Sequence, residues 1–118
     1  MSKVLIVDDD RTTVKLLQTL LELDGFEVSS ALKGGDVLST LEQAKPDIML
    51  IDFHLSDMDG VEVIRQLRQN ENYATMPIIM ASGLDVQEEA IGAGASLFLV
   101  KPFEPGELPR LFNKLLNG

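Results

Sequence analysis

The sequence predicts an α/β fold: five parallel strands in one doubly wound sheet of order 2-1-3-4-5, with helices on both faces. Three observations carry this. Short apolar runs alternate with helix-period segments from end to end, and strict β/α alternation implies a parallel sheet covered by helices. The runs "VLIV", "IMLI" and "PIIM" are almost continuously apolar, as suits strands buried on both faces. Right-handed crossovers then leave two main doubly wound orders, and five strands suit the 2-1-3-4-5 arrangement.

The elements follow in order. Strand one covers residues 3–7 and runs into Asp8, Asp9 and Asp10. A helix over 12–23 carries Val14, Leu17 and Leu21 on one face, and Gly25 lies just past its end. Asp10 stands where the N-cap of that helix belongs. Strand two is 26–31. The helix over 36–44 carries Val37, Leu38 and Leu41 and stops before Pro46. Strand three is 47–51 and exits at Asp52. Asp59 and Glu62 have capping-box spacing ahead of a helix over 61–69, which carries Ile64 and Leu67. Strand four is 77–81, followed by Ser82. Asp85 and Glu88 repeat the capping spacing before "DVQEEAIG", long enough for about two helical turns. Strand five is 96–100 and exits at Lys101. In "PFEPGELPRLFNKLLNG", Pro109 does not fit a helix interior. The last helix is therefore expected to begin near Pro109, with loose chain before it.

Composition narrows the function classes. At 118 residues the chain suits one domain spanning 1–118, with 45% hydrophobic residues to fill a core. Cysteine is absent, which removes disulfides and thiolate metal sites and fits a reducing compartment such as the cytoplasm. "MSKVLIV" has too short an apolar run for a signal peptide, and no run approaches a membrane span. Nineteen acidic residues against ten basic ones give a net charge of −9. That balance argues against direct binding to nucleic acid or an anionic membrane.

In doubly wound folds, ligands bind outside the carboxyl ends of the strands. Here those ends carry Asp8, Asp9 and Asp10, then Asp52, Ser82 and Lys101, while strand two ends on Ala31 and Leu32 and offers no chemistry. Two carboxylates ~4 Å apart repel by ~4 kcal/mol at an effective dielectric near 20, so the cluster needs compensation. Lys101 supplies one positive charge and a divalent cation would supply the rest. All-oxygen ligands suit Mg²⁺ or Mn²⁺ and exclude a zinc-type site. Plainer readings compete residue by residue: Asp10 as a cap, Ser82 as the start of a turn with Gly83, Lys101 as an exposed loop lysine. Asp52, at a central strand exit, is the hardest to dismiss, and four strand ends converging by chance is improbable.

The segments "VLIVDDD", "PDIMLIDFHLSDMDG", "PIIMASG" and "GASLFLVKPF" resemble the signature segments of the response-regulator receiver domain of two-component signalling. The resemblance covers essentially the whole chain and implies a flavodoxin-like (βα)5 fold. It implies that Asp52 accepts a phosphoryl group from a phosphohistidine on a sensor histidine kinase or histidine phosphotransfer protein. Asp9 would hold Mg²⁺ directly, Asp8 through a bound water, and the His54 backbone carbonyl would complete the protein ligands. Lys101 would neutralise phosphoryl oxygens, and Pro102 matches the family's Lys-Pro pair, often a cis bond. Ser82 and Phe98 match the switch pair that repacks once the charge changes. The resemblance points to a phospho-accepting signalling domain acting only on its own phosphoryl group. Its downstream target is not specified, and a phosphorylation-dependent homodimer is compatible with it.

The chain also departs from that family. Ser56 stands where proline is common. Only 18 residues separate Ser82 from Lys101, about three fewer than is usual, or roughly one turn of helix four. Output through the helix 4–strand 5–helix 5 surface is therefore the part most altered. By the same resemblance, His54 and Leu84 stand at positions that in that family border the acyl phosphate and tune its lifetime. Two alternatives stand beside this reading. One is a receiver-fold interaction module that works without phosphorylation. The other is a haloacid-dehalogenase-like phosphatase using "DDDRT", with Asp8 as nucleophile and Asp10 as acid/base. The second lacks the later acidic pair that such enzymes need, because only Glu104 and Glu107 follow Lys101. The chain is either a stand-alone receiver or one excised from a longer regulator.

Overall fold

A computed structural model describes residues 2–117; Met1 and Gly118, the ends of the expected domain, lie outside them. The apolar runs form five parallel strands: β1 (Lys3–Val7), β2 (Glu27–Ala31), β3 (Ile48–Asp52), β4 (Ile78–Ser82) and β5 (Leu97–Val100). Their order in the sheet is β2-β1-β3-β4-β5, as the alternation predicts. Between and after them lie α1 (Arg11–Leu23), α2 (Val37–Ala44), α3 (Gly60–Arg68), α4 (Gln87–Ala93) and α5 (Leu108–Asn117).

Alternate residues of the central strands feed two separate cores, because strand side chains point to opposite faces. On one face Leu5, Met49, Ile51, Ile78 and Met80 pack against α2, α3 and α4. On the other, Val4, Ile6, Ile48, Leu50 and Ile79 pack against α1 and α5. There the Phe112 ring meets Phe26 edge-on, with centroids 5.6 Å apart. Full burial of each such aliphatic side chain contributes about 1.5–3 kcal/mol, and the strands that hold the site lie between both layers.

Helix ends follow local chemistry. The Asp10 carboxylate caps α1 by accepting from the N–H groups of Thr12 and Thr13. Asp59 caps α3 through the Glu62 N–H at 2.8 Å. Two expectations need correction. Asp85 does not cap α4: Val86 occupies the N-cap, with no side-chain hydrogen bond to the helix. Ahead of that N-cap, where the chain leaves β4, Ser82 Oγ accepts from the Leu84 N–H at 3.0 Å. The chain before α5 is not loose either. A 3-10 turn at Pro105–Glu107 leads into a helix that starts at Leu108. Pro109 thus sits in the first helical turn, where its missing N–H has no partner to lose.

The short α4 is tied down at its far end. Arg68 donates from Nε (3.0 Å) and Nη2 (2.8 Å) to the Gly94 carbonyl, and from Nη1 (2.7 Å) to that of Tyr73. No helix among the described residues is long and apolar enough to cross a membrane.

Candidate functional site

The sheet delivers the chemistry to one edge. Past β1, the Asp8 N–H extends the ladder to the Ala31 carbonyl at 3.1 Å. The Asp8 carboxylate then accepts from the Asp10 N–H at 2.9 Å. This turn aims Asp8 inward, 6% exposed, and leaves Asp10 exposed as a cap. Asp52 closes β3 beside Ala81 of β4. Past β5, the Lys101 N–H bonds to the Ser82 carbonyl at 2.8 Å, which returns the lysine side chain over the cluster. The Lys101–Pro102 bond is cis.

Lys101 Nζ lies 2.6 Å from Asp52 Oδ1 and 3.7 Å from Asp8 Oδ2. Asp8, Asp9 and Asp52 each place one carboxylate oxygen within 4.8 Å of the others. Burial pushes the Asp8 carboxyl above its ordinary value and the nearby Asp52 charge adds to this, against the Asp10 N–H bond and Lys101, which act the other way. Burial disfavours the Lys101 ammonium too, but its hydrogen bond to Asp52 and the attraction of Asp52 and Asp8 prevail, so its pKa is raised. Three carboxylates against one ammonium leave an excess of negative charge in the cluster, and Asp8, Asp52 and Lys101 of it border a cleft of ≈ 360 Å³. Apolar side chains, among them Leu16, Leu17 and Phe103, line the cleft as well. An all-oxygen set of this charge fits a hard divalent cation such as Mg²⁺ or Mn²⁺.

The other candidate residues surround this cluster. Ser82 ends β4 and is 2% exposed. Phe98 pairs with Met80 across β4 and β5 and packs, partly buried, on the core beneath α3 and α4. The His54 ring is exposed and set edge-on against Phe53 at 4.8 Å. The Leu84 side chain is 50% exposed. The structure thus brings Asp8, Asp9, Asp52 and Lys101 together, with Ser82 at the adjoining strand end. It keeps the side chains of His54, Leu84 and Phe98 outside the charged cluster.

Sequence reasoning missed two residues. Gly60 opens α3 directly against β3, where a Cβ would overlap the Asp52 carbonyl oxygen and the Met80 methyl. Its signal was present, as the glycine that follows the Asp59 cap. Asp57 accepts from the N–H groups of Gly34 and Gly35 at 2.9 Å each. No spacing rule links those residues, which lie more than twenty positions apart.

This architecture, an acidic cluster with one lysine at the carboxyl edge of a five-stranded doubly wound sheet, defines the class of protein. Residues 4–113 match the family model for the response regulator receiver domain, and the chain belongs to that family. It is 38% identical over 109 residues to the alkaline phosphatase synthesis transcriptional regulatory protein PhoP of Bacillus subtilis, covering 90% of this chain and 45% of that protein. The chain spans about half the length of the curated relatives it matches. Among solved structures it is similar to the chemotaxis response regulator CheY4 of Vibrio cholerae (TM-score 0.90, 30% identity, 98% of this chain and 99% of that one). It is also similar to the receiver domain of the sensor histidine kinase PA1611 of Pseudomonas aeruginosa (TM-score 0.89, 27% identity, 99% and 98%), solved with a magnesium ion coordinated in its active-site cleft.

Proposed function

We propose that this receiver domain accepts a phosphoryl group on Asp52 from a phosphohistidine of a histidine kinase or histidine phosphotransfer protein, with Mg²⁺ as its cofactor. The observation that carries the reading is the 2.6 Å pairing of Lys101 with Asp52 Oδ1 inside a three-carboxylate cluster. Lys101 engages one oxygen of Asp52 and leaves Oδ2 to attack phosphorus. As the new O–P bond forms, the N–P bond of the phosphohistidine breaks and its electron pair returns to the imidazole. Lys101, held beside Asp52, would meet the charge on the phosphoryl oxygens with little reorganisation. Asp9 and Asp52 would hold the cation with the His54 backbone carbonyl, and Asp8 would act through a water. The bound cation supplies charge neutralisation for the transferred group. The magnesium in the PA1611 receiver cleft supports this assignment by likeness.

Ser82 and Phe98 form the switch in this reading. Ser82 Oγ now accepts from the Leu84 N–H, and its hydroxyl would turn to a phosphoryl oxygen. Phe98 would then repack and alter the α4–β5–α5 surface for a downstream target or a second copy. The His54 ring and Leu84 flank the approach of water and set the phosphoryl lifetime. The domain is a signalling element that turns over only its own phosphoryl group.

Incubation with acetyl phosphate and Mg²⁺, followed by intact mass measurement, tests the proposal. A gain of about 80 Da is expected, and it should vanish in Asp52→Asn and in EDTA. No gain in the unsubstituted chain would refute it and favour an interaction module that works without phosphorylation.

A further inference from the structure

The loop between β3 and α3 is closed on itself by an antiparallel bridge of His54 with Asp59. The Leu55 N–H reaches the Met58 carbonyl at 3.2 Å, and the Gly60 N–H reaches that of Phe53 at 2.7 Å. Beyond these, Asp57 reaches across to the turn between β2 and α2. Its Oδ1 accepts from the Gly34 N–H and its Oδ2 from the Gly35 N–H, both at 2.9 Å. Among the described residues, these are the only side-chain hydrogen bonds made by residues 53–58. The turn is built for the approach. A Cβ at Gly34 would overlap the Met58 side chain, and one at Gly35 would lie 3.2 Å from Asp57 Oδ2. Bonds from two N–H groups to one carboxylate are charge-assisted and directional.

We propose that Asp57 is a positioning residue for the cation site. By strapping the β3–α3 loop to the turn at Gly34 and Gly35, it fixes where the His54 carbonyl stands relative to Asp8, Asp9 and Asp52. The inference rests on the function proposed above, in which that carbonyl is a ligand. Groups that orient metal ligands typically change affinity by 10- to 100-fold when removed. Asp57 acts three residues from His54, so the lower end applies: a loss of about tenfold.

The test is Mn²⁺ titration of the unsubstituted chain, Asp57→Ala and Asp57→Asn, followed by electron paramagnetic resonance, with urea unfolding of each in EDTA. Both substitutions remove the same charge. Asn keeps one acceptor oxygen and Ala keeps none. The strap requires Asp57→Ala to bind Mn²⁺ about tenfold more weakly and Asp57→Asn only about threefold more weakly. Equal weakening in both variants would assign the effect to charge alone and overturn the proposal. So would a lowered unfolding midpoint with Mn²⁺ affinity unchanged within about twofold, the result of a purely structural contact. Should Asp57→Ala fail to fold, Asp57→Asn decides, because retained affinity there would overturn the strap. If the unsubstituted chain itself bound no Mn²⁺, the cation site would fall and the strap's role with it.

Discussion

Replacing Asp8 by Asn asks whether the carboxylate cluster is held together against its own repulsion. Asp8 is 6% exposed, and one of its oxygens lies within 4.8 Å of Asp9 and Asp52 oxygens. At an effective dielectric near 20, each such pair costs about 3.5 kcal/mol, or about 7 kcal/mol for the two. Lys101 Nζ, 3.7 Å away, returns about 4.5 kcal/mol on the same scale. About 2.5 kcal/mol of repulsion is left, and burial of the charge adds to it. Solvent at the cleft mouth screens part of this, because Asp9 is exposed. Asn also makes a weaker partner for the Asp10 N–H, a loss of about 1 kcal/mol. Metal-free Asp8→Asn should therefore be more stable than the unsubstituted chain by about 1–2 kcal/mol, raising Tm by roughly 3–10 °C. At Mg²⁺ a hundredfold above Kd, the unsubstituted chain gains about 2.7 kcal/mol from binding. The variant gains little, so the order reverses. Urea unfolding followed by far-UV circular dichroism, in EDTA and in Mg²⁺, reads both differences. An Asp8→Asn variant less stable than the parent in EDTA would refute the reasoning.

Three further substitutions or titrations probe neighbouring parts of the site. Gly60→Ala should lower stability by at least about 2 kcal/mol in urea unfolding, because its methyl has to displace the Asp52 backbone and the Met80 side chain. It should also slow acetyl phosphate labelling. Lys101→Ala should bind Mg²⁺ more tightly, since it removes the cluster's cation, yet take up phosphoryl groups about a hundredfold more slowly by intact mass. Asp57 is held below its ordinary 3.8 by the Gly35 and Gly34 N–H groups, and Asp10 below the same value by the Thr13 hydroxyl and N–H. A carboxylate lowered in the folded state contributes stability that is complete above 3.8 and lost as pH falls through its folded value. Acid unfolding of Asp57→Asn should therefore lose part of its slope below pH 3.8 relative to the parent, and an unchanged slope would count against the bonds.

Period and strand exit made most of this architecture legible. β1, β3 and β4 are buried on both faces, so their apolar runs had only one reading, and side-chain chemistry at their ends located the cluster. The sequence also identified Asp10 as a cap, because a residue ahead of a helix has a local partner. Asp85 had the same spacing, but α4 begins one residue later than that spacing requires, with Val86 at the N-cap. Pro109 was placed near the start of α5, but the 3-10 turn ahead of it came from tertiary packing of Leu108 into the core under α1. Asp57 was illegible for a different reason. Its partners are backbone N–H groups of glycines, which carry no side-chain signature at all.

The Arg68 clamp has a mechanical consequence. Its hydrogen bonds at that turn end on the Gly94 carbonyl, just past α4, while the other end of α4 begins at Val86 without a side-chain cap. A rigid rod pinned at one end and loose at the other pivots. Displacement begun at Ser82 would grow toward Gln87 and fade toward Ala93, so in this seven-residue helix the end nearer Ser82 has the longest travel.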